Sequence, residues 1–370
     1  MQPEQQPQSS SLFSLPTQQQ QPQQQQQQAR QVPQVSGGEP PAAAPTPLTQ
    51  LTPYSHPKVT EGRYERESVE ERRRREARAV YGERWAAKVK RIQRESPHGR
   101  RQGWALRCVI VKSGDDCRQE LLALQLVRTF GDIFSEAGLP LWVRYYEVLV
   151  TSNKTALIEM VPNTLSIHTI KSRSPPGTSL SDHFFAKFGR SGTPECTAAQ
   201  RRFTESLAAY SLICYLLQIK DRHNGNILID DDGRVVHIDY GFLLSNSPGG
   251  VNFESAPFKL TRELLEVMDS NSDGRPSEMF DYFKVLMIQG FIAARNCSDR
   301  ILLLVKVMSK SGFPCFKGGE RALKALEKRL MTSLTEVQCV EHVLQLIAES
   351  LDAWRTRQYD YYQRVLNGIL

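Results

Sequence analysis

No apolar run in this 370-residue chain approaches the roughly 20 residues that a bilayer-spanning helix needs, so any meeting with a membrane is from its surface. The seven cysteines (108, 117, 196, 214, 297, 315 and 339) are odd in number and show no Cys-x-x-Cys spacing. That excludes a disulfide framework and a zinc-ribbon site, and points to reduced thiols in the cytoplasm. Neither Gly-x-x-x-x-Gly-Lys-Ser/Thr nor Gly-x-Gly-x-x-Gly occurs, so both common glycine-rich phosphate loops are missing. The Gln-rich start does not fit a secretory signal.

What is present divides unevenly. Residues 1–60 are Gln- and Pro-rich and lack the apolar side chains to offset their ordering entropy, which predicts a disordered tail. Residues 61–95 alternate Arg and Lys with Glu, and Val80, Trp85, Val89 and Ile92 recur at helical spacing, which predicts one charged helix with a thin apolar stripe. From residue 96 onward the pattern is that of a folded domain. Net charge is +7, a balance that suits nucleic acid, anionic membrane or nucleotide without choosing among them.

The chain is organised around Asp221-Arg222-His223-Asn224-Gly225-Asn226-Ile227-Leu228-Ile229-Asp230, followed by Val235-Val236-His237-Ile238-Asp239-Tyr240-Gly241. An Asp-Gly pair between two apolar runs predicts a hairpin with a two-residue loop of positive φ. With Asp232-Gly233 as that loop, Asn226 falls opposite Asp239, at the roughly 4.5–5.5 Å Cβ spacing of cross-strand partners. An amide oxygen and a carboxylate so placed suit a hard divalent cation that also takes phosphate oxygens. Asp221 and His223 stand just before the first strand, where a base for an attacking hydroxyl is wanted. Each alone is an ordinary turn residue; in this order they point to phosphoryl transfer.

Upstream, a strand over 106–112 places Lys112 on the face of Cys108 and Ile110, and an amphipathic helix over 117–127 carries Glu120. A strand lysine held by a helix carboxylate is how kinases keep a lysine on nucleotide phosphates, so Lys112 with Glu120 is the candidate pair. Strands over 142–151 and 155–160 lead into Glu159-Met160-Val161-Pro162-Asn163, placed as a hinge. A long apolar helix over 199–220 precedes the central hairpin, and five helical patterns fill 280–370. In the last of them Trp354, Tyr359, Tyr361, Tyr362 and Leu366 interleave with Arg355, Arg357 and Arg364, a composition that suits a membrane interface or packing beneath the domain equally.

Asp221-Arg222-His223-x-x-Asn226 with Asp239-Tyr240-Gly241 resembles the phosphatidylinositol 3-/4-kinase superfamily, whose motifs are Asp-Arg-His-x-x-Asn and Asp-Phe-Gly. Tyr240 departs from the family's Phe but keeps the carboxylate. Over 96–370 the sequence is similar to the beta branch of the type III phosphatidylinositol 4-kinases. Carrying this are Lys112-Ser113-Gly114-Asp115-Asp116-Cys117-Arg118-Gln119-Glu120, Tyr215 to Lys220, Phe258-Lys259-Leu260-Thr261 and Asn367-Gly368-Ile369-Leu370. The helical domain that precedes the lobes in that family is missing from these residues, either because the gene is reduced or because the chain is incomplete, so its regulatory and partner sites are not carried over.

The resemblance implies an α+β, two-lobed kinase-like fold. An antiparallel-sheet N-lobe would cover about 96–160 and a mainly helical C-lobe about 164–370. It implies ATP with Mg²⁺, or Mn²⁺ in its place, held by Asn226 and Asp239. Ser96-Pro97-His98-Gly99 would face the phosphates, and Glu159 and Val161 would read the adenine edge between Tyr146 and Ile238. Where 3-kinases of the superfamily carry a basic cluster in the activation loop, this chain has Lys259 alone among Phe253, Phe258 and Leu260, which favours unphosphorylated phosphatidylinositol. The expected reaction is transfer of the ATP γ-phosphoryl group to the 4-hydroxyl of that lipid, with either Asp221 or His223 as base. The expected protein is a cytoplasmic monomer, peripheral on Golgi or other endomembranes, with no nucleic-acid partner. A related Ser/Thr protein kinase and a non-catalytic membrane scaffold are the rival readings.

Overall fold

The basic stretch expected as one charged helix is broken in two. In the computed structural model, which describes residues 68–248 and 254–370, Val69–Ala79 (α1) and Trp85–Glu95 (α2) are separate helices. Ser68 and Glu71 form a capping box at the start of α1, and Gly82, at φ +70°, turns the chain between the two. The expected Gln/Pro-rich tail lies outside the described residues, as does Phe253.

The first sheet is antiparallel, in the order β1 (Val109–Ser113), β3 (Thr155–Glu159), β2 (Val148–Ser152). Its strands are shorter than the alternation suggests, because 106–108 and 142–147 run outside the ladder. Ile110, Ile158 and Val148 form one cross-strand row, and Lys112 pairs with Ala156 on the same face. The opposite row, Val111, Leu157 and Leu149, faces outward, with Val111 71% and Leu149 61% exposed. Helix α3 (Arg118–Glu136) buries Leu122, Leu126, Val127, Phe130 and Phe134, an apolar stripe at helical spacing.

A second antiparallel sheet, β4 (Thr164–Ser166), β5 (Ile227–Asp230) and β6 (Val235–His237), belongs to the helical lobe. Around it lie α4 (Ile167–Arg173), α5 (Leu180–Phe188), α6 (Pro194–Leu217), α7 (Arg262–Val267), α8 (Glu278–Asn296), α9 (Ser298–Met308), α10 (Glu320–Arg329), α11 (Glu336–Ser350) and α12 (Trp354–Asn367). The two-lobed α+β architecture is thus the one expected. Among the described residues no helix is long and apolar enough to cross a membrane.

Helix α6 positions the site. Thr193 caps it and Pro194 opens it, where a missing N–H costs nothing. It is buried through Leu217 and stops at Gln218, whose left-handed φ of +50° sends the chain back toward the cleft. Helix α8 crosses α6 closely at Gly290, where a Cβ would stand 2.5 Å from Leu141 Cδ1 and 2.6 Å from Leu212 Cδ1. Gly290→Ala is therefore expected to destabilise the protein. Overpacking of about 1–3 kcal/mol outweighs the roughly 1 kcal/mol gained from alanine's helix propensity. Calorimetry should show a lower Tm with the fold retained.

Candidate active site

The hairpin forms, but its register differs by one residue from the expected one. Ile227, Leu228 and Ile229 pair with His237, Val236 and Val235, so Asn226 stands opposite Ile238. The cause is the Asp230 side chain. Its Oδ1 accepts the amides of Asp232 (2.9 Å) and Arg234 (2.7 Å), which draws three residues into the loop. Gly233 takes the positive φ, +92°. Asp239 consequently lies one residue beyond the ladder, at φ +59°.

Three long-range clamps fix this end of the hairpin. Arg222, buried and passed over by the sequence reading, donates to the carbonyls of Lys220 (3.0 Å), Ile238 (2.8 Å) and Asp239. Gln119 of α3 donates Nε2 to the Gly241 carbonyl at 2.6 Å, while its Oε1 accepts the Cys315 amide at 3.0 Å. The Glu254 carboxylate accepts the Asp221 amide at 2.8 Å. Tyr240, in place of the family's Phe, is fully buried, and its hydroxyl is satisfied by the His237 carbonyl at 3.0 Å.

Lys112, Glu120, Tyr146, Glu159, Val161, Ile238 and Asp239 line one cleft of about 560 Å³. Lys112 and Glu120 are not in direct contact. Lys112 Nζ is 3.8 Å from Asp115 Oδ2, and Glu120 Oε1 accepts the Tyr146 hydroxyl at 2.9 Å. They remain coupled through the field. Burial pulls the Lys112 ammonium down, but Asp239 and Glu120 more than offset it, so its pKa is raised. Burial is also the main cause of the raised pKa of Glu120, with Asp239 adding to it and Tyr146 and Lys112 opposing.

Asn226 donates Nδ2 to the Asp221 carbonyl at 3.0 Å, which leaves its Oδ1 as the atom able to ligand a cation. Among the described residues no group of three or more His, Cys, Asp or Glu side chains could hold a metal. One amide oxygen and one carboxylate fit an ion that completes its shell with phosphate oxygens and water, as Mg²⁺ does. Beside them, Asp221 Oδ1 accepts the Tyr359 hydroxyl at 2.5 Å and lies 3.7 Å from His223 Nε2. His223 Nδ1 accepts the Gly225 amide at 3.0 Å. Burial holds the His223 pKa below its ordinary value against the opposing pull of Asp221.

Five expected site residues, the Ser96–Gly99 turn and Lys259, are placed otherwise. Ser96 to Gly99 forms the turn that ends α2, with the Gly99 amide donating to the Ser96 carbonyl at 3.0 Å. A Cβ on Gly99 would fall 1.8 Å from the Gln93 carbonyl oxygen, so this turn is folded against its own helix and does not line the cleft. Tyr81, Glu83, Trp85 and Lys88 line it instead. Lys259, expected as an open cation for the lipid phosphate, is buried, with Nζ 2.7 Å from Asp360 of α12 and 2.9 Å from Asn224 Oδ1.

Of the large apolar and aromatic residues in the last helix, Tyr359 packs inward, whereas Trp354, Tyr361 and Leu366 are exposed. The contacts of Tyr359 and Asp360 tie α12 to the Asp221–Asn226 loop. Lys259→Ala should therefore raise amide exchange across residues 354–367 while α6 and α8 stay protected, a contrast that exchange mass spectrometry resolves.

The comparisons with known proteins point the same way as this geometry. Residues 108–318 match the family model of phosphatidylinositol 3- and 4-kinase. Phosphatidylinositol 4-kinase beta 1 of Arabidopsis thaliana is 66% identical over 296 residues, 80% of this chain and 26% of the relative. The beta 2 protein of the same plant is 67% identical over 291 residues, 79% of this chain and 26% of the relative. Phosphatidylinositol 4-kinase beta of Homo sapiens is 44% identical over 287 residues, 77% of this chain and 34% of the relative. The chain thus spans about a quarter to a third of the length of these curated relatives.

Proposed function

The chain belongs to the phosphatidylinositol 3- and 4-kinase family, and from that premise we propose that it transfers the γ-phosphoryl group of ATP to the 4-hydroxyl of phosphatidylinositol. One observation carries the reading: Lys112 and Asp239, from different lobes, line a single cleft beside the Asp221–Asn226 loop. Lys112 would hold the phosphates by its ammonium, and Asn226 Oδ1 with the Asp239 carboxylate would hold Mg²⁺ or Mn²⁺. When bound, that ion supplies neutralisation of phosphate charge. Positioning in the cleft then supplies most of the acceleration.

The Gly225 hydrogen bond to His223 Nδ1 leaves the proton of the neutral ring on Nε2, on the side of Asp221. Asp221 is therefore the base we favour, taking the hydroxyl proton as the phosphoryl group leaves ATP. The Tyr359 hydroxyl holds the carboxylate in place, with His223 Nε2 beside it at 3.7 Å. Choice of the 4-position is supported by the names of the relatives, and an acceptor without ring phosphates by the lack of a basic cluster at 241–260, where Lys259 is already paired. The exposed Trp354, Tyr361 and Leu366 offer α12 a face for lipid, which supports peripheral association, and the Golgi or another endomembrane is the proposed place.

Acceptor choice tests this proposal. Vesicles containing phosphatidylinositol should be labelled from ATP, and vesicles containing phosphatidylinositol 4-phosphate should not. Labelling of peptides with lipid left untouched would move the assignment to a protein kinase.

A further inference from the structure

One wall of the cleft comes from a segment that carries none of the kinase motifs. Tyr81, Glu83, Trp85 and Lys88 line it, and all four lie between the end of α1 and the second turn of α2. The segment is pinned at several points. Arg173 Nη1 donates to the Val80 carbonyl at 3.1 Å, and Arg84 pairs with Asp231 of the hairpin loop at 2.8 Å. Lys187 Nζ, buried and 3.1 Å from Asp231, sits 3.5 Å from the centre of the Tyr81 ring.

The most informative contact is at the start of α2. A helix leaves its first amides without internal partners, and Arg84 at the N-cap offers no side-chain acceptor. Asn163 Oδ1 accepts the Trp85 amide instead, at 2.7 Å across 78 residues. Asn163, at φ +55°, closes the segment whose Glu159, Met160 and Val161 line the same cleft. The helix start is therefore fixed to the hinge, and the half-buried indole of Trp85 is fixed with it. Lys88, three residues on, shares that helix face.

We infer that Trp85 is a nucleoside-binding residue whose indole packs on the base and ribose of the bound nucleotide, with Lys88 adding a positive charge to the same wall. An indole beside a hinge offers a flat apolar surface on which a purine stacks. The inference deepens the nucleotide reading given above and rests on it.

The test measures ATP–Mg²⁺ binding by calorimetry, KM for ATP and nucleotide quenching of tryptophan emission, on the wild type, Trp85→Ala and Trp85→Phe. Trp85→Ala should raise Kd and KM about tenfold with kcat little changed, the pattern of lost binding shared by ground and transition states. Trp85→Phe should recover most of the affinity while losing the quench. Were Trp85→Ala to misfold, the Phe variant alone decides: a wild-type quench in that variant overturns the inference. Wild-type Kd in folded Trp85→Ala overturns it too, with the nucleotide reading intact. A wild-type protein that binds no ATP–Mg²⁺ overturns both.

Discussion

Asp239→Asn is expected to lower kcat for phosphoryl transfer by about 10²–10³-fold or more while leaving the fold intact. The substitution removes one negative charge and keeps the shape, and asparagine tolerates the φ of +59° at this position better than most residues. The hairpin does not depend on the carboxylate. Arg222 grips the backbone carbonyl of residue 239, and among the described residues the side chain itself accepts only the Gly241 amide, at 3.3 Å. Thermal unfolding should therefore change little. The expected functional loss is twofold: the proposed cation would lose its carboxylate, and Lys112 would lose the largest of the charges that raise its pKa. Circular dichroism melts alongside steady-state rates separate a lost ligand from a lost fold.

Asp221→Asn is expected to cost about 10²–10⁴-fold in kcat, the range for a positioned general base, with KM for ATP nearly unchanged. Asparagine again accepts the left-handed φ, here +65°. The pH profile divides the work between Asp221 and its neighbour. Because burial lowers the His223 pKa, the ring stays neutral at pH 7 and gains a proton in the fold only below its ordinary value of 6.5. The unfolded chain takes up that proton first, so stability also falls as pH drops below 6.5. With Asp221 as base, His223→Asn should shift the acid limb of kcat and leave a measurable rate, while Asp221→Asn should leave almost none. The reverse ranking would transfer the role of base to His223.

What the sequence made legible was local. The Asp221–Asn226 loop, the Asp-Tyr-Gly motif and the strand lysine are contiguous patterns, and each sits at or beside the cleft. The register of the hairpin was hidden because one side chain, Asp230, competes with the two-residue turn by capturing backbone amides. No count of residues reveals that. The Ser96–Gly99 turn was expected at the cleft for a related reason: its closure on itself, with the His98 and Gly99 amides on Ser96, does not show in the pattern, whereas the segment that lines the cleft is held by Asn163 and Asp231. Lys259 was legible as the only lysine of its loop but not as buried, since its partner Asp360 lies 101 residues away. Arg222 had a visible signal, a cation inside the motif, and only the three carbonyls it reaches explain why it is there.

The most direct test of the central claim is the position of the phosphate added to phosphatidylinositol by this chain with labelled ATP and Mg²⁺. The account predicts phosphatidylinositol 4-phosphate, lost in Asp239→Asn. Phosphate at the 3-position, or an equal yield from Asp239→Asn, would contradict it.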